Sequence, residues 1–419
     1  MKRRLLIIGG GIIGLATAHY CNRHGWAVTV VERRGARRDG CSFQNAGMIV
    51  PSHFIPLAAP GMVALGLKWM GNPESPFYIQ PRASLELLDW LWKFWRAATP
   101  QRVARAAPLL RDLSFASRAL YEELAAATDN DFGLVQKGLL MLCRTPHGLA
   151  EEAKTAAQAV ALGIPARVLD ARQTAELDPN VRMSIAGSVY YPKDCHLQPD
   201  RLLAGLQSRL TAAGVQFLWD SEVTGWRTGP DRRIHTVRLA DGRELVAEEY
   251  VLCGGSWSPG LVRDLGLKLP LQAGKGYSLT LPRPRQLPQI CAIFTEARMA
   301  VTPLNGALRF GGTLEISGLN ETINPARVRG IINAVPGYYP DFAPADFDGL
   351  QPWRGLRPCS PDGLPYLGRT AKYANLTLAT GHAMMGMSLG PVTGSLVAEI
   401  ISGVPPRIDL SLLSPDRHH

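Results

Sequence analysis

The sequence lacks closely spaced cysteines. It has 419 residues and seven cysteines, which are widely separated: Cys21, Cys41, Cys143, Cys195, Cys253, Cys291 and Cys359. Structural zinc sites and redox motifs use CxxC pairs, and disulfide-stapled secreted domains use an even number of cysteines. The spacing therefore predicts neither a metal site nor a disulfide framework, and it favours the reducing environment of the cytoplasm.

Long apolar runs are also missing. No stretch reaches the roughly 18 apolar residues of a membrane-spanning helix. The N-terminal run of residues 5–8 follows three basic residues, as in a signal peptide, but glycines interrupt it and no clean cleavage site follows. The sequence thus predicts neither a spanning helix nor a secretory leader.

Acidic residues are the scarcer charged class, with 35 Asp and Glu against 45 Lys and Arg and a net charge of +10. A basic balance suits nucleic acid, anionic membranes or acidic small molecules. The basic residues are dispersed and are not interleaved with aromatics in an RNA-binding pattern. A solvated basic surface is the expectation.

The N-terminal segment predicts a strand–helix–strand unit. Residues 4–8 form an apolar run typical of a buried parallel strand, residues 12–23 have helical apolar spacing, and residues 27–31 form a second buried strand. Such a βαβ unit favours a parallel sheet.

A GxGxxG motif connects the first strand to the helix, and Glu32 ends the second strand. Glycines there permit a tight turn, close approach of a pyrophosphate, and close packing of helix on strand, while a carboxylate at the second strand end can bind a ribose diol. The motif predicts dinucleotide binding and does not by itself choose between FAD and NAD. The residues predicted to contact the cofactor in this unit are Gly9, Gly11, Ile12, Ile13, Gly14, Glu32 and Arg33.

The chain length exceeds what one hydrophobic core usually fills, so two domains are expected. Strand and glycine elements of dinucleotide type occur at both ends of the chain and near residue 250, and residues 270–315 alternate like an antiparallel sheet. We therefore expect an α/β fold with a discontinuous cofactor domain (1–50, 190–265 and 350–419) and a substrate domain (51–189 and 266–349). Helices are predicted at 85–95, 109–127, 150–162 and 199–213, and residues 414–419 are expected to be disordered.

Several ordered stretches carry a family resemblance. Besides the glycine motif they are the segments 42–47, 58–61, 68–70, 194–197, 275–280, 355–358, 361–363 and 380–382. In this order they resemble the D-amino-acid dehydrogenase branch of the FAD-dependent D-amino-acid oxidase family. The resemblance implies a Rossmann-like FAD-binding domain interleaved with an α+β substrate domain on a mixed or antiparallel sheet, and FAD as cofactor.

The resemblance also implies further cofactor contacts. Residues 42–47 form a small polar loop that either lines the flavin or only caps a helix. The implied contacts are Ser42, Gln44, Asn45, Ala46, Gly47, Met48, Val223, Gly254, Gly255, Gly381, Gly386, Met387 and Ser388. Gly355 stands where sarcosine oxidases have the cysteine that bonds flavin, so the FAD is expected to be non-covalent.

The implied reaction is hydride transfer from Cα of a small D-amino acid to flavin N5, in which positioning and electrostatics dominate. Arg357 is the implied carboxylate ligand, because a guanidinium matches a carboxylate bidentately, and Arg354 is its rival. Tyr277 either binds the same carboxylate or is a core aromatic. His382, next to a helix N-terminus, either donates to the flavin or is a packing residue. Lys275 is expected at solvent or the flavin edge, without a role.

Departures from the family leave the substrate open. His53 stands where these dehydrogenases usually carry a tyrosine, and Met384, Met385 and Met387 suggest an adaptable apolar wall. The substrate is therefore linear or cyclic, such as D-proline or a hydroxy-D-proline. The acceptor is a quinone-type molecule, or oxygen as in a glycine or sarcosine oxidase. A tRNA-modifying flavin domain would require an appended domain or basic groove, and the sequence contains neither.

Residues 85–95 are rich in tryptophan and are followed by several arginines. They form either an interfacial helix at the inner face of a membrane or a helix packed in the interior. The interior interpretation is favoured, because tryptophan occurs on several helix faces. The sequence does not predict the oligomeric state.

Overall fold

The computed structural model describes residues 2–37 and 39–418. Its strands are β1 (Arg4–Ile8), β2 (Ala27–Val31), β3 (Met48–Ile49), β4 (Phe77–Ile79), β5 (Leu139–Cys143), β6 (Arg167–Asp170), β7 (Gly187–Tyr191), β8 (Cys195–His196), β9 (Gln216–Leu218), β10 (Val223–Thr228), β11 (Ile234–Leu239), β12 (Glu244–Leu245), β13 (Glu249–Leu252), β14 (Gln272–Leu281), β15 (Cys291–Phe294), β16 (Met299–Leu304), β17 (Ala307–Ile316), β18 (Trp353–Cys359), β19 (Tyr366–Arg369) and β20 (Leu376–Thr380). Its helices are α1 (Ile12–Arg23), α2 (Met62–Trp69), α3 (Leu85–Ala97), α4 (Pro100–Ala127), α5 (Pro146–Ala161), α6 (Ala171–Leu177), α7 (Pro199–Ala212), α8 (Ser258–Val262), α9 (Pro325–Ala334) and α10 (Gly386–Ile401).

One sheet carries the predicted βαβ unit. Among the described residues it has six strands in the order β19-β20-β13-β1-β2-β9. Strands β20, β13, β1, β2 and β9 are parallel, and β19 is the antiparallel edge. Parallel strands need helices on their faces to bury them, and this explains the continuous apolar runs of β1 and β13.

The second sheet is larger and mixed. In the described residues it runs β18-β14-β17-β16-β15-β5-β7-β6, with β4 added beside β17. Most neighbours are antiparallel, while β15 pairs with β5 and β17 with β4 in parallel. A meander, β10-β11-β12, and the short pair β3-β8 complete the strand pairing. The predicted α/β fold with a mixed substrate-domain sheet is confirmed.

Helices α1 and α10 pack against each other and against the six-stranded sheet. Their close approach depends on Gly394, where a Cβ would lie 2.4 Å from the carbonyl carbon of Ala16. The core around them includes Leu15, Val392 and Leu396, each fully buried. This packing fixes the N-terminal ends of both helices near each other.

Two elements pack across the expected division of the chain into domains. Strand β18 pairs with β14 of the large sheet, so the chain returns to the six-stranded sheet after Cys359 and not at residue 350. Helix α4, within the predicted substrate segment, contributes Leu113 and Tyr121 to the core of the cofactor part, and the Tyr121 hydroxyl donates to the Met387 carbonyl. Tertiary packing decides both assignments, and no local sequence signal marks them.

The C-terminal tail contradicts the expected disorder. Leu413 is fully buried, and Arg417 forms hydrogen bonds to both carboxylate oxygens of Asp362 at 2.7 and 3.0 Å. The Arg417 guanidinium also lies 3.9 Å from the centre of the Tyr366 ring. The tail is thus held up to residue 418 by a bidentate ion pair whose side chains are 10% and 11% exposed, and His419 lies outside the described residues.

One helical stretch of the described chain, Ala383–Ile401, is long and apolar enough to cross a membrane, but 72% of it is buried inside the protein. It contains α10, whose apolar surface packs on α1 and α4.

Candidate cofactor and substrate site

A cavity of about 490 Å³ lies at the carboxyl end of β1 and β2, beside the N-termini of α1 and α10. Open parallel sheets bind ligands at the carboxyl ends of their strands. The predicted site residues that line it are Gly9, Gly11, Ile12, Ile13, Glu32, Arg33, Ser42, Asn45, Val223, Gly254, Gly255, His382, Gly386 and Met387. Tertiary structure therefore gathers segments from residues 9 to 387 around one cavity.

The glycine turn forms the floor of the cavity because no side chain fits there. Gly9 has φ +109°, and a Cβ on it would lie 2.4 Å from the Cys253 carbonyl oxygen. A Cβ on Gly14 would lie 1.8 Å from the Gly9 carbonyl oxygen. Gly14 does not line the cavity, so its role is the close packing of α1 against the turn. The arrangement leaves open backbone for a pyrophosphate at the start of α1.

Glu32 is held at the rim of the cavity by the backbone. Its Oε2 accepts from the Gly10 amide at 2.7 Å, and its Oε1 accepts from the Arg34 amide at 3.0 Å. A carboxylate accepts about four hydrogen bonds, so capacity remains for ribose hydroxyls. Ser42 Oγ accepts from the Ile12 amide at 3.1 Å and thereby caps α1, as one of the two sequence interpretations predicts.

His382 lines the cavity and has one ring nitrogen without a hydrogen-bond partner in the described part of the chain. It is 3% exposed, and its Nε2 lies 3.0 Å from Thr393 Oγ1. Its Nδ1 has no hydrogen-bond partner among the described residues. Burial lowers the pKa of His382 to about 3, so the ring is neutral. A buried nitrogen without a partner is costly, which fits a site completed by a bound group.

The remaining predicted cofactor residues lie behind the lining: Gly14, Gln44, Ala46, Gly47, Met48, Gly381 and Ser388. Ser388 Oγ accepts from the Val50 amide at 3.0 Å, which ties the segment after β3 to the first turn of α10. Gly47 has φ +73°, and a Cβ there would lie 2.2 Å from the Leu197 carbonyl oxygen. These residues shape and connect the loops that form the cavity.

Arg357 lies beside the cofactor loop, on the edge strand β18. Arg357 does not itself line the cavity, and the lining residues Leu356 and Pro358 lie on the opposite face of the strand. Its guanidinium lies over Gly276, where a Cβ would approach it within 2.4 Å. On this face of the sheet the Ser278 hydroxyl donates to the Gln44 carbonyl of the cofactor loop at 3.5 Å. Nη1 donates to the Thr313 carbonyl at 2.6 Å. Within residues 2–37 and 39–418, no carboxylate pairs with Arg357. Burial raises the pKa of the Cys41 thiol, and the positive charge of Arg357 opposes that effect, so the two groups lie near each other.

Tyr277 is on the other face of the same sheet, in contrast to its predicted contact with substrate. In the β14–β18 register, Gly274 opposes Arg357 and Tyr277 opposes Arg354. Because side chains alternate along a strand, Tyr277 and Arg357 point in opposite directions. The Tyr277 hydroxyl donates to Glu315 Oε2 at 2.7 Å and accepts from the Asn324 amide at 3.2 Å. Its ring is a core aromatic, the alternative that the sequence left open.

Lys275 shares the face of Tyr277 and is not at solvent or at the flavin edge. It is 1% exposed, its Nζ donates to the Thr322 carbonyl at 2.7 Å, and Glu315 lies 3.5 Å away. The lysine and the tyrosine therefore share one buried carboxylate, and each also bonds directly to the backbone before α9.

His53 lies on the same side of the large sheet as Arg357. Its segment joins an apolar cluster that includes Val50, Phe54 and the partly buried Met385 and Ala300. Ala300 is paired with Gly311 on the next strand, and Gly311 is paired with Ser278 on β14. Directly paired residues lie on the same face of a sheet, so Ala300 lies on the face that carries Arg357. Burial, with a smaller contribution from the charge of Arg298, lowers the pKa of His53 to about 4. His53 therefore supplies a neutral imidazole on this face.

Three contacts of the site were missed by sequence reasoning. Arg309, on β17, donates to the Asn45 carbonyl at 2.7 Å and so attaches the large sheet to the cofactor loop. Burial lowers the pKa of Arg309 to about 10. Arg33 lies 3.7 Å above the Trp257 ring, and both line the cavity. The sequence feature that could have identified Arg309 is an arginine at a position of a strand whose side chain faces inward.

The third missed feature is a charge quartet that bridges the two parts of the molecule. Arg34 pairs with Asp39 and with Glu321, and Arg354 pairs with the same two carboxylates at 2.6 and 3.3 Å. Arg34 and the nearby Leu319 line the cavity. Arg354, the rival of Arg357 as the carboxylate ligand, is thus occupied by two acidic partners.

Comparisons with known proteins agree with this geometry. Residues 4–400 match the family model described as FAD dependent oxidoreductase. The chain is 32% identical to a D-amino acid dehydrogenase of Granulibacter bethesdensis, covering 99% of both chains. It is 33% identical to a D-amino acid dehydrogenase of Methylobacterium radiotolerans, covering 97% of this chain and 98% of the relative.

A solved structure, glycine oxidase from Geobacillus kaustophilus, has the same fold, with a TM-score of 0.80, 24% identity and complete coverage of both chains. FAD is accordingly the cofactor, and the glycine turn, the Glu32 carboxylate and the unpartnered His382 nitrogen fit it. The chain belongs to the family of FAD-dependent oxidoreductases.

Proposed function

We propose that this protein oxidises small D-amino acids at Cα to the imino acid, which water converts to the keto acid and ammonia. The D-amino acid dehydrogenases that it resembles over nearly its whole length support this substrate class. When bound, FAD supplies the acceptor for the hydride that leaves Cα.

The observation that carries the proposal is Arg357. A half-buried guanidinium without an acidic partner among the described residues, beside the loop that borders the cavity, is suited to a substrate carboxylate. Its bond to the Thr313 carbonyl uses one of five N–H donors, so a bidentate pair remains available. Arg357 thereby orients Cα, while His382 and the N-terminus of α10 provide the donor and the positive dipole end for the cofactor ring.

Anaerobic mixing of the yellow holoenzyme with a panel of D- and L-amino acids tests the proposal directly. Flavin absorbance should bleach with small D-amino acids and persist with their L enantiomers. Including glycine, sarcosine, D-proline and a hydroxy-D-proline separates linear from cyclic substrates. Absence of bleaching with every member would contradict the proposed function.

We further propose a quinone-type acceptor reached at an anionic membrane surface. Helix α3 buries Trp90 on one face, and on another it exposes an apolar stripe of Leu85, Leu88, Trp92 and Trp95 at 56–85%. The stripe has spacing of three and four residues, and the rings of Trp92 and Trp95 stack with centroids 5.2 Å apart. Exposed tryptophans on a helix that also carries basic residues suit an interfacial site.

Flotation with vesicles that contain anionic lipid should recover the wild type and should lose the double variant Trp92→Ser/Trp95→Ser. Val168→Ser, which removes an apolar residue 49% exposed elsewhere, is the matched control. Equal flotation of both variants, or none by the wild type, would remove the membrane proposal. Peroxide formation without quinone reduction would instead identify oxygen as the acceptor.

A further inference from the structure

Ser52 and Asp194 form a buried chain of hydrogen bonds behind His53. Ser52 Oγ lies 3.0 Å from His53 Nδ1 and 2.5 Å from Asp194 Oδ2. The Ser52 amide donates to the other carboxylate oxygen at 3.1 Å. Asp194 is fully buried and Ser52 is 7% exposed, while His53 is half-buried. The hydrogen bonds thus lead from the fully buried Asp194 carboxylate to the half-buried His53 imidazole.

The direction of these bonds follows from what each group can do. An ionised carboxylate only accepts, so the Ser52 hydroxyl donates to Asp194. The Ser52 oxygen then accepts from His53, which places the proton of the neutral ring on Nδ1. His53 Nε2 is left with its lone pair, and no described residue bonds to it. The opposite edges of an imidazole carry its two nitrogens, so Nε2 points away from Ser52 and the buried carboxylate.

This lone pair matters for the proposed reaction. Amino acids reach the site as ammonium ions, and a hydride leaves Cα readily only when the nitrogen is neutral and can form the imine. The site must therefore accept one proton before oxidation. His53 lies on the Arg357 side of the large sheet, since its chain neighbours Val50, Phe54 and Ile55 pack in one cluster with Met385 of the segment before α10.

We propose that His53, Ser52 and Asp194 relay this proton: His53 accepts it from the bound ammonium group, and it is stored on Asp194. The inference rests on the proposed function. Nε2 gains the substrate proton, Nδ1 passes its proton to Ser52 Oγ, and the Ser52 hydroxyl proton passes to Asp194 Oδ2. After the transfer Asp194 is neutral and donates, Ser52 donates to Nδ1, and His53 carries its proton on Nε2. One proton moves and no electrons do.

The surroundings allow Asp194 to play this part. Burial raises the pKa of Asp194 to about 7, against the hydrogen bonds from Ser52 and the more distant charge of Arg118. The other titratable groups near it are the hydroxyl of Tyr191 and the thiols of Cys195 and Cys291, whose pKa values burial raises. The charge of Arg298 faces His53 and helps to keep its ring neutral. Near neutral pH the carboxylate is therefore the proton acceptor of the chain.

The kinetic test uses the holoenzyme and the rate of anaerobic flavin reduction by a subsaturating D-amino acid. In the wild type this rate should rise with pH through about 7, as Asp194 ionises. Ser52→Ala and Asp194→Asn should lower it at least tenfold at pH 7 and remove this inflection. Ser52→Thr, which keeps a hydroxyl, should restore both. Ser188→Ala is the matched control, because it removes a buried hydroxyl 2.8 Å from Thr174 Oγ1 that contacts no histidine.

A second measurement does not depend on turnover. In ¹⁵N-histidine-labelled holoenzyme, with His53→Gln used to assign the signal, His53 should show the Nδ1–H form at pH 9. The form should shift to Nε2–H below pH 6, and this shift should be lost in Asp194→Asn. An Nε2–H form at pH 9, or wild-type kinetics in Ser52→Ala, would overturn the relay. If no amino acid reduces the wild-type flavin, the proposed function fails, while the tautomer measurement still decides the hydrogen-bond chain.

Discussion

Arg357 differs from its neighbour Arg354 in the partners that the fold supplies. Both lie on β18, where successive side chains point to opposite faces of the sheet. Arg354 therefore pairs with two carboxylates, while among the described residues Arg357 bonds only to one backbone carbonyl. An arginine without a counter-ion in a half-buried position is a candidate anion site, since burial of unpaired charge is otherwise unfavourable.

Replacing Arg357 with alanine should therefore remove the interaction with the substrate carboxylate. A buried, hydrogen-bonded charge pair lost on one side costs roughly 2–5 kcal/mol, so kcat/KM should fall at least about 30-fold. Steady-state kinetics of Arg357→Ala against Arg354→Ala provide the measurement. A smaller effect at Arg357 than at Arg354 would reverse the assignment.

The cysteines at the cavity predict how the FAD is held. Cys41 and Cys253 line the cavity, and burial raises the pKa of both thiols, that of Cys253 to about 12. A thiolate is the reactive form of cysteine, so neither side chain is activated for bonding to flavin. Acid precipitation should leave the protein colourless and the flavin in the supernatant. Yellow colour that stays with the pellet would show a covalent link.

The charge quartet connects the loop after β2 to the chain before α9. Isolated surface ion pairs contribute little, but a network whose members share partners contributes more. The quartet spans the edge of the cavity, so its strength should affect how long the cofactor is retained.

Glu321→Gln should weaken FAD binding several-fold and make the residual affinity less sensitive to salt, because screening acts on the pairs that are lost. Titration of apoprotein with FAD, followed by flavin fluorescence at two ionic strengths, measures both effects. Glu176→Gln, from the exposed i,i+4 pair with Arg172, is the control. If Glu321→Gln and the control bind FAD alike, the quartet does not restrain the cofactor.

Helices α3 and α4 differ from what the local sequence pattern predicted. Helix α4 begins at Pro100 after the cap Thr99, nine residues earlier than its predicted start at 109, and continues through Pro108. Proline is favoured in the first turn of a helix and costly inside one, so the pattern pointed to a later start. In α3 the tryptophans occur on several faces because the helix has one apolar face for the core and another that is exposed.

The C-terminal tail closes onto the loop after β18 and so joins the end of the chain to the rest of the fold. The Asp362 side chain is only 11% exposed, which by itself raises its pKa, but the nearby His418 and Arg417 side chains overcome that effect and hold the pKa of Asp362 well below its ordinary value. Such a depressed pKa stabilises the fold above the unfolded value near 4. That stability is lost as the pH falls further through the folded value.

Arg417→Ala should leave the largely buried Asp362 without its bidentate partner, at a cost of roughly 3–5 kcal/mol. The melting temperature at pH 7 should fall clearly, and the difference from wild type should shrink as the pH drops below about 4. Thermal unfolding followed by circular dichroism at both pH values is the measurement, with Arg172→Ala as the exposed control. An unchanged melting temperature would mean that the tail does not stabilise the fold.

Local sequence pattern was enough to define the cofactor unit. The apolar runs of β1 and β2, the glycines 9, 11 and 14, and Glu32 act through backbone geometry within some thirty residues, so local pattern was sufficient. The resemblance of ordered motifs added FAD and the position of Arg357.

Which side chains share a face, and which distant groups meet, depends instead on how the whole chain packs. The register of β14 with β18 separates Tyr277 from Arg357, and the fold joins Ser52 to Asp194 across 142 positions of the chain. Strand register and long-range hydrogen bonds are set by packing of the whole molecule, because each is stable only when the surfaces around it are already buried.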